Sequence, residues 1–119
     1  MRVKLTPEAI EDIAEIKKYI REDLSSPIAA NRTATNITKS YKRLKDFPLL
    51  GVSLCARYGI DTPVHMLVSG NYLIFYEINE RAKLVEILNI IHSKQDAIRK
   101  LFPDFEYDID EDDYDDAPE

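Results

Sequence analysis

The feature that most constrains the fold is a helix-start signal that occurs twice. In Thr6-Pro7 and again in Ser26-Pro27, a hydroxyl residue suited to capping a helix precedes a proline, which is tolerated at the first helical position. Apolar and long side chains then recur at spacings of three and four: Ile10, Ile13, Lys17, Ile20 and Leu24 in the first segment, Ala30, Ala34, Ile37, Tyr41 and Leu44 in the second. The sequence therefore predicts two amphipathic helices, about 7–24 and 27–46, that form an antiparallel hairpin.

Extended segments flank this hairpin. Residues 2–5 alternate polar and apolar side chains, which predicts a short strand with Val3 and Leu5 facing inward. After an irregular stretch, three β-rich segments at 64–69, 72–78 and 83–91 are separated by turn residues, as in an antiparallel meander.

The middle segment of the meander is almost continuously apolar and aromatic, so we expect it to be central and covered on both faces. Regular alternation in the last segment would place Val85, Ile87 and Ile91 on one face. A capping pattern at 93–96 predicts a short final helix that ends before Pro103.

These elements predict an α+β fold: an N-terminal strand, then an antiparallel helical hairpin packed on a mostly antiparallel sheet, in the order β-α-α-β-β-β with a short C-terminal helix. The 119 residues suit one domain, which we expect to span residues 1–103. The single cysteine, Cys55, cannot form an intrachain disulfide, and we expect it to be an inert thiol. The sequence shows neither a signal peptide nor a long apolar run. We therefore predict a cytoplasmic protein that does not associate with a membrane and does not bind a metal or a cofactor.

The charge is divided unevenly along the chain. Ten of the 22 acidic residues lie in 104–119, which contains no Lys or Arg, so residues 1–103 carry 16 basic and 12 acidic groups. The net charge of −6 therefore belongs to an acidic tail that follows a mildly basic body. Such a dense run of like charge is typically disordered and solubilising. Alternatively, the tail folds back on the basic body, or competes there with its ligand.

Several residues are candidates for a functional site. His92 follows a strand, where it could act as a general base or as a structural hydrogen-bonding residue, and His65 is the weaker case. A group of cations could bind phosphates or an acidic partner, or could simply face solvent. These cations are Arg57, Arg81, Lys83, Lys94, Arg99 and Lys100. A second basic ridge is predicted on the second helix at Arg32, Lys39, Lys42, Arg43 and Lys45. Tyr72 and Tyr76 suit core packing better than stacking on bases.

The order and spacing of these segments over residues 3–102 resemble the RelE/ParE superfamily of type II toxin–antitoxin toxins, also called plasmid stabilisation proteins. The resemblance is carried by the opening Val3-Lys4-Leu5-Thr6-Pro7-Glu8-Ala9, by Leu44-Lys45-Asp46-Phe47-Pro48 with Gly51, by the strand 70–77, and by Ile90-Ile91-His92 with Asp96. It implies a bacterial growth-arrest protein that a cognate antitoxin holds inactive. It also implies contact with operator DNA only indirectly, through the antitoxin.

The superfamily divides by target, and the resemblance leaves two. RelE-like members cut mRNA in the ribosome, whereas ParE-like members are associated with poisoning of DNA gyrase. RNA cleavage needs a proton acceptor and cations that stabilise the phosphorane. The resemblance implies that RelE-like members carry these cations on the first strand of the meander and directly after the Tyr of the second. Here residues 64–69 contain no Lys or Arg, and Leu73 follows Tyr72. A nuclease site could still be built from His92, Lys94 and Arg99. The small number of cations available for RNA cleavage favours the ParE branch and a protein without enzymatic activity. The alternatives are an endoribonuclease or a non-toxic binding relative.

Overall fold

The structure is a computed structural model that describes residues 1–92, in which a helical hairpin packs on one face of a five-stranded sheet. The strands and helices are β1 (Arg2–Leu5), α1 (Pro7–Lys18), α2 (Pro27–Lys42), β2 (Val52–Ser53), α3 (Leu54–Tyr58), β3 (His65–Ser69), β4 (Tyr72–Asn79) and β5 (Leu84–Ile91). The predicted final helix, the cations Lys94, Arg99 and Lys100, and the acidic tail 104–119 lie outside the described residues.

The sheet has the strand order β1-β5-β4-β3-β2, in which β1 runs parallel to β5 and every other neighbouring pair is antiparallel. The predicted α+β fold with a mostly antiparallel sheet is therefore confirmed. The irregular stretch before the meander contains β2 and α3, two short elements that its sequence did not reveal. Gly70 has φ +58° at the first position of the two-residue β3–β4 turn, as a type II′ hairpin requires.

Both predicted helix caps are present. The Thr6 hydroxyl oxygen accepts the N–H of Ala9 at 3.2 Å, and the Ser26 hydroxyl oxygen accepts that of Ala29 at 3.3 Å. The Thr6 hydroxyl also lies 3.0 Å from the carbonyl oxygens of both Ile87 and Leu88. The first residue of the hairpin is thus fixed to β5.

The first helix differs from its prediction at both ends. Ala9 is buried in the core cluster on the hairpin side of the sheet and Ile20 is also buried, whereas Ile10 and Leu24 are 58% and 56% exposed. The small side chain of Ala9 lets α1 approach the sheet closely. Beyond Lys18 the helix widens into a π-helical turn, Tyr19–Asp23, whose wider turn changes the direction of the later side chains. The predicted apolar stripe was therefore wrong at Ile10 and Leu24, whereas the stripe predicted for α2 is buried or half-buried throughout.

The sheet is covered on both faces, as predicted for β4. On the hairpin side, Ile74 and Tyr76 pack with Ile37, Leu44 and Ile87. On the opposite side, a second cluster gathers around Leu73 and Phe75 and is completed by Leu54, Tyr58, Ile60, Val64 and Met66. The short α3 and the loop after it form this second layer.

A β-bulge in β5 changes which side chains face the helices. Phe75 pairs with Asn89 but Tyr76 pairs with Ile87, so Leu88 is an extra residue on β5. Ile90 consequently joins the hairpin-side core, while Ile91 packs against the opposite cluster. The predicted shared face of Val85, Ile87 and Ile91 was therefore wrong at Ile91.

Candidate functional site

A cleft of about 730 Å³ opens where the end of α1 meets the start of β4 and the end of β5. The π-helical turn forms one wall with Tyr19 and Ile20, and the paired strand ends form the other. Its remaining lining residues are Asp12, Glu15, Ile16, Leu24, Ala29, Thr33, Asn71, Tyr72, Ile90, Ile91 and His92. Since π-helical turns often occur at functional sites, this cleft is the main candidate.

Strand pairing brings the predicted site residue His92 next to Tyr72, for which the sequence favoured core packing. Leu73 of β4 pairs with Ile91 of β5, so Tyr72 and His92 lie next to each other at the sheet end. Their rings meet edge to face, with centroids 5.1 Å apart and planes at 69°. His92 is exposed and Tyr72 is half-buried, so the imidazole is accessible from the cleft.

Asp12 is a cleft residue whose role the sequence did not reveal. Its Oδ2 accepts the backbone N–H of Ile90 at 2.9 Å and the Asn89 side-chain amide at 3.4 Å. In the sequence, Asp12 belongs to a group of acids near the start of a helix, where a favourable dipole interaction is sufficient explanation. In the structure it anchors α1 to the end of β5.

The charged side chains in the described lining of the cleft are mainly acidic. Asp12 and Glu15 line it, and none of its described lining residues is Lys or Arg. His92 is therefore the one basic side chain that the described lining supplies. Cleavage of a phosphodiester requires cations near the developing negative charge, and the described lining supplies no Lys or Arg for this.

The other predicted partner-binding cations lie elsewhere. Arg81 and Lys83 are in the β4–β5 turn, so the whole length of β5, about 23 Å by strand rise, lies between them and His92. Arg57 is on α3, on the sheet face away from the hairpin, and its guanidinium carbon lies 5.9 Å from the Tyr58 ring centroid. The structure thus does not bring these three cations together with His92.

Tyr76 is a core residue. Its hydroxyl donates to the carbonyl oxygen of Pro48 at 2.8 Å and accepts the N–H of Gly51 at 3.0 Å. Burial raises the pKa of the Tyr76 hydroxyl, and the hydrogen bond from Gly51 opposes this only in part. The ring also stacks on His65, with centroids 5.3 Å apart. Neither Tyr76 nor His65 is among the residues that line the cleft.

Across residues 1–92, none of the helices combines the length and the hydropathy that a bilayer-crossing segment needs. Cys55 is exposed on α3 and forms no disulfide within that range.

Together, the fold and the cleft define a class of small α+β proteins in which a helical hairpin packs on one face of a sheet and leaves a cleft at the strand ends. The sequence profile of the family described as the ParE toxin of the type II toxin–antitoxin system parDE matches residues 3–97. The chain belongs to this family, and the predicted superfamily is confirmed.

Solved structures agree with this assignment. A chain from the chromosomal ParDE toxin–antitoxin system of Pseudomonas aeruginosa is 20% identical with a TM-score of 0.65, and the match covers 79% of this chain and 97% of the other. A chain from the RelBE2 toxin–antitoxin complex of Mycobacterium tuberculosis is 21% identical with a TM-score of 0.54, over 76% and 95% of the two chains. At these identities the likeness concerns the fold. A comparison with curated protein sequences gives no match.

Proposed function

We propose that this ParE-family toxin arrests bacterial growth by acting on DNA gyrase and that a cognate antitoxin neutralises it. The observation that carries the target is the composition of the cleft. Its described lining combines two carboxylates with apolar side chains and contains no Lys or Arg. A site of this kind suits a polypeptide better than the phosphodiester of an RNA substrate.

The antitoxin is proposed to occupy the same cleft. Tyr19 and Leu24, on its helical wall, are 54% and 56% exposed, and Ile28 nearby in the chain is 74% exposed. Large apolar side chains that remain exposed in a group mark a surface for a protein partner. An amphipathic segment of the antitoxin could bury them against the paired strand ends.

A ribosome-dependent endoribonuclease is the second candidate function. It is favoured by the exposed imidazole of His92 beside Tyr72, since an accessible histidine can accept the proton of a ribose hydroxyl. The cations that this reaction would also need, Lys94 and Arg99, lie outside the described residues. A non-toxic relative that only binds an antitoxin is the remaining alternative.

The target can be tested with purified components. The chain is mixed with DNA gyrase, ATP and relaxed plasmid, and the DNA is analysed after protein digestion for linear products. In parallel, primer extension on translated mRNA reveals any cleavage within codons after the chain is induced in cells. Linear DNA without mRNA cuts is the expected result, and mRNA cuts without DNA breaks would replace gyrase by the ribosome.

The same induction experiment distinguishes a toxin from a non-toxic relative that only binds an antitoxin. Growth arrest on expression without antitoxin, and recovery on co-expression of the neighbouring antitoxin gene, are expected. Normal growth at a protein level confirmed by immunoblot would leave the chain as a binding module only.

The antitoxin surface can be tested with matched variants. Tyr19→Ser combined with Leu24→Ser should weaken antitoxin binding by about tenfold or more, because two exposed apolar contacts are lost. Phe47→Ser combined with Leu49→Ser is the control, since these side chains are more exposed than the first pair, at 62% and 74%, but lie outside the cleft. A larger loss in the control pair would move the antitoxin surface to the loop after α2.

A further inference from the structure

The two helices of the hairpin carry opposite charge. The segment Pro7–Asp23, comprising α1 and its π-helical turn, contains six acidic and three basic residues. The segment Pro27–Lys45, comprising α2 and the short 3₁₀ turn after it, contains five basic residues and no acidic one. The hairpin is therefore strongly polarised, and α2 is its positive side.

The described part of the chain leaves the positive side unpaired. The ion pair found within residues 1–92 joins Arg21 to Glu22 at 3.6 Å, so no described carboxylate lies within ion-pair distance of the α2 cations. All five of these cations are exposed: Arg32, Lys39, Lys42, Arg43 and Lys45. Five like charges on one helical segment repel one another, and an anionic partner would relieve this repulsion.

Three of these cations line a groove. Arg32, Lys39 and Arg43 are spaced by seven and four residues, so they share one face of α2. This face borders a concave surface of about 770 Å³, whose opposite wall is the β3–β4 hairpin with Gly70 and Asn71. The described residues that line this groove include no Asp or Glu. We call it the α2 groove.

The neutral side chains of the α2 groove are suited to carboxylates. Asn36 lies between the cations on the same helical face, and Thr33, Ser40 and Ser69 add hydroxyl groups. The Ser40 and Ser69 oxygens are 2.7 Å apart, which joins α2 to β3 at the floor of the groove. Amide and hydroxyl donors beside guanidinium groups are the usual partners of carboxylates.

We propose that the acidic segment 104–119 of this same chain binds in the α2 groove and shields it. This segment carries ten carboxylates and no Lys or Arg, so it matches the groove in charge. It also lies beyond the part of the chain that the ParE family profile matches, which ends at residue 97. The groove and its occupant are independent of which target the toxin acts on.

The reach of the chain is sufficient. His92, the last described residue, lines the cleft, and the cleft and the α2 groove share Ala29, Thr33, Asn71 and Tyr72 as lining residues. Residues 93–103 span up to about 36 Å when extended and roughly 17 Å if they form the helix that the sequence predicts. In either form the acidic segment, which adds a further 16 residues, can reach the part of the groove that borders the cleft.

The segment is favoured over a nucleic acid as the occupant. The full chain has a net charge of −6, which repels polyanions at a distance at low ionic strength. A segment of the same chain has an effective concentration on the order of millimolar and needs no such encounter. The segment therefore reduces access of external polyanions to α2, and salt should weaken this effect.

The test uses ¹H–¹⁵N correlation spectra of the full-length chain, of three full-length variants, and of the tail variant combined with each of the other two. In the tail variant, the acids are replaced by amides at six positions: Asp110→Asn, Glu111→Gln, Asp112→Asn, Asp113→Asn, Asp115→Asn and Asp116→Asn. The groove variant is Arg32→Gln, Lys39→Gln and Arg43→Gln. Its matched control, Arg2→Gln, Lys4→Gln and Lys18→Gln, removes the same charge from exposed positions elsewhere.

The expected result is a set of amide shift differences between wild type and tail variant that is centred on α2 and on Gly70 and Asn71. These differences should fall by on the order of fivefold between 20 mM and 500 mM NaCl. They should disappear when the tail substitutions are made in the groove variant, but persist when they are made in the control variant. Differences centred on residues 94–100 or on the β4–β5 turn would overturn the proposal. So would differences that the groove variant leaves intact, or no differences at 20 mM NaCl.

Discussion

The carboxylate of Asp12 accepts the backbone N–H of Ile90 at a distance of 2.9 Å. β1 ends at Leu5, which pairs with Ile87, so within residues 1–92 the last residues of β5 have no neighbouring strand on that side. Asp12 supplies from α1 an acceptor that a longer β1 would otherwise have provided. A helical side chain thus replaces a strand at the wall of the cleft.

Asp12→Ala should lower the free energy of unfolding by about 1–3 kcal/mol, because the Ile90 N–H loses its acceptor in a partly buried place. Asp12→Asn, which retains one oxygen acceptor, should recover part of this loss. Glu15→Ala is the control on the next turn, where the exposed side chain predicts a change within about 0.5 kcal/mol. Urea denaturation measures all three, and equal losses for Asp12→Ala and Glu15→Ala would contradict the anchoring role.

Tyr76→Phe should destabilise the protein by about 1–2 kcal/mol at pH 7, because the bonds to Pro48 and Gly51 are lost. Burial raises the pKa of the Tyr76 hydroxyl above its ordinary value of 10.0, so the folded chain holds this proton more tightly than the unfolded chain. The resulting stability is fully present below pH 10 and is lost as the pH rises through the folded-state pKa. The difference between wild type and Tyr76→Phe should therefore shrink above pH 10.

The measurement for Tyr76 is urea denaturation from pH 7 to pH 11, in which the other tyrosines contribute equally to both proteins. Tyr19→Phe at pH 7 is the control, since this side chain is 54% exposed and its change should stay within about 0.5 kcal/mol. A difference for Tyr76→Phe that grows with pH would contradict the raised pKa.

Gly51→Ala should destabilise the protein by about 2–3 kcal/mol through overpacking. A Cβ at this position would lie 2.6 Å from the carbonyl oxygen of Met66 and 2.8 Å from the Tyr76 hydroxyl oxygen. Because the Met66 oxygen belongs to the backbone of β3, adding Tyr76→Phe should not restore the loss.

Gly59→Ala is the matched control for Gly51→Ala. A Cβ on Gly59 would meet no atom of residues 1–92 within 4 Å, but this residue has φ +71° at the end of α3, which costs about 1 kcal/mol for a residue other than glycine. Thermal and urea unfolding should therefore rank Gly51→Ala as the more damaging change. The reverse ranking would mean that the loop before β2 moves away from β3 without cost.

Much of the fold could be predicted because local signals coincide with tertiary contacts. Thr6 and Ser26 cap helices in the structure as their positions before proline indicate. The apolar stripe of α2 keeps the helical spacing of three and four residues from Ala30 to Leu44, and both of these residues are buried. In β4 the continuous apolar run corresponds to a central strand with a core on each face.

The rest depends on features without a local signal. Neither the bulge at Leu88 nor the pairing of Asp12 with Ile90 follows from residue spacing, since each requires knowledge of the neighbouring strand. The exposure of Leu24 follows from a π-helical turn that has no sequence mark here. At the candidate site, the sequence indicates His92 but favours core packing for Tyr72, because their contact depends on strand register. The distant positions of Arg57, Arg81 and Lys83 depend on topology.

The Thr6 hydroxyl should contribute more to stability than a helix cap alone. It accepts the Ala9 N–H and also lies within hydrogen-bond distance of the Ile87 and Leu88 carbonyl oxygens, whereas the Ser26 hydroxyl has the cap bond to Ala29. Thr6→Ala should therefore cost about 2 kcal/mol and Ser26→Ala about 1 kcal/mol. Thr6→Ser keeps the hydroxyl and should cost less than Thr6→Ala. If urea denaturation gives equal losses for Thr6→Ala and Ser26→Ala, the link from the hairpin to β5 adds nothing to the cap.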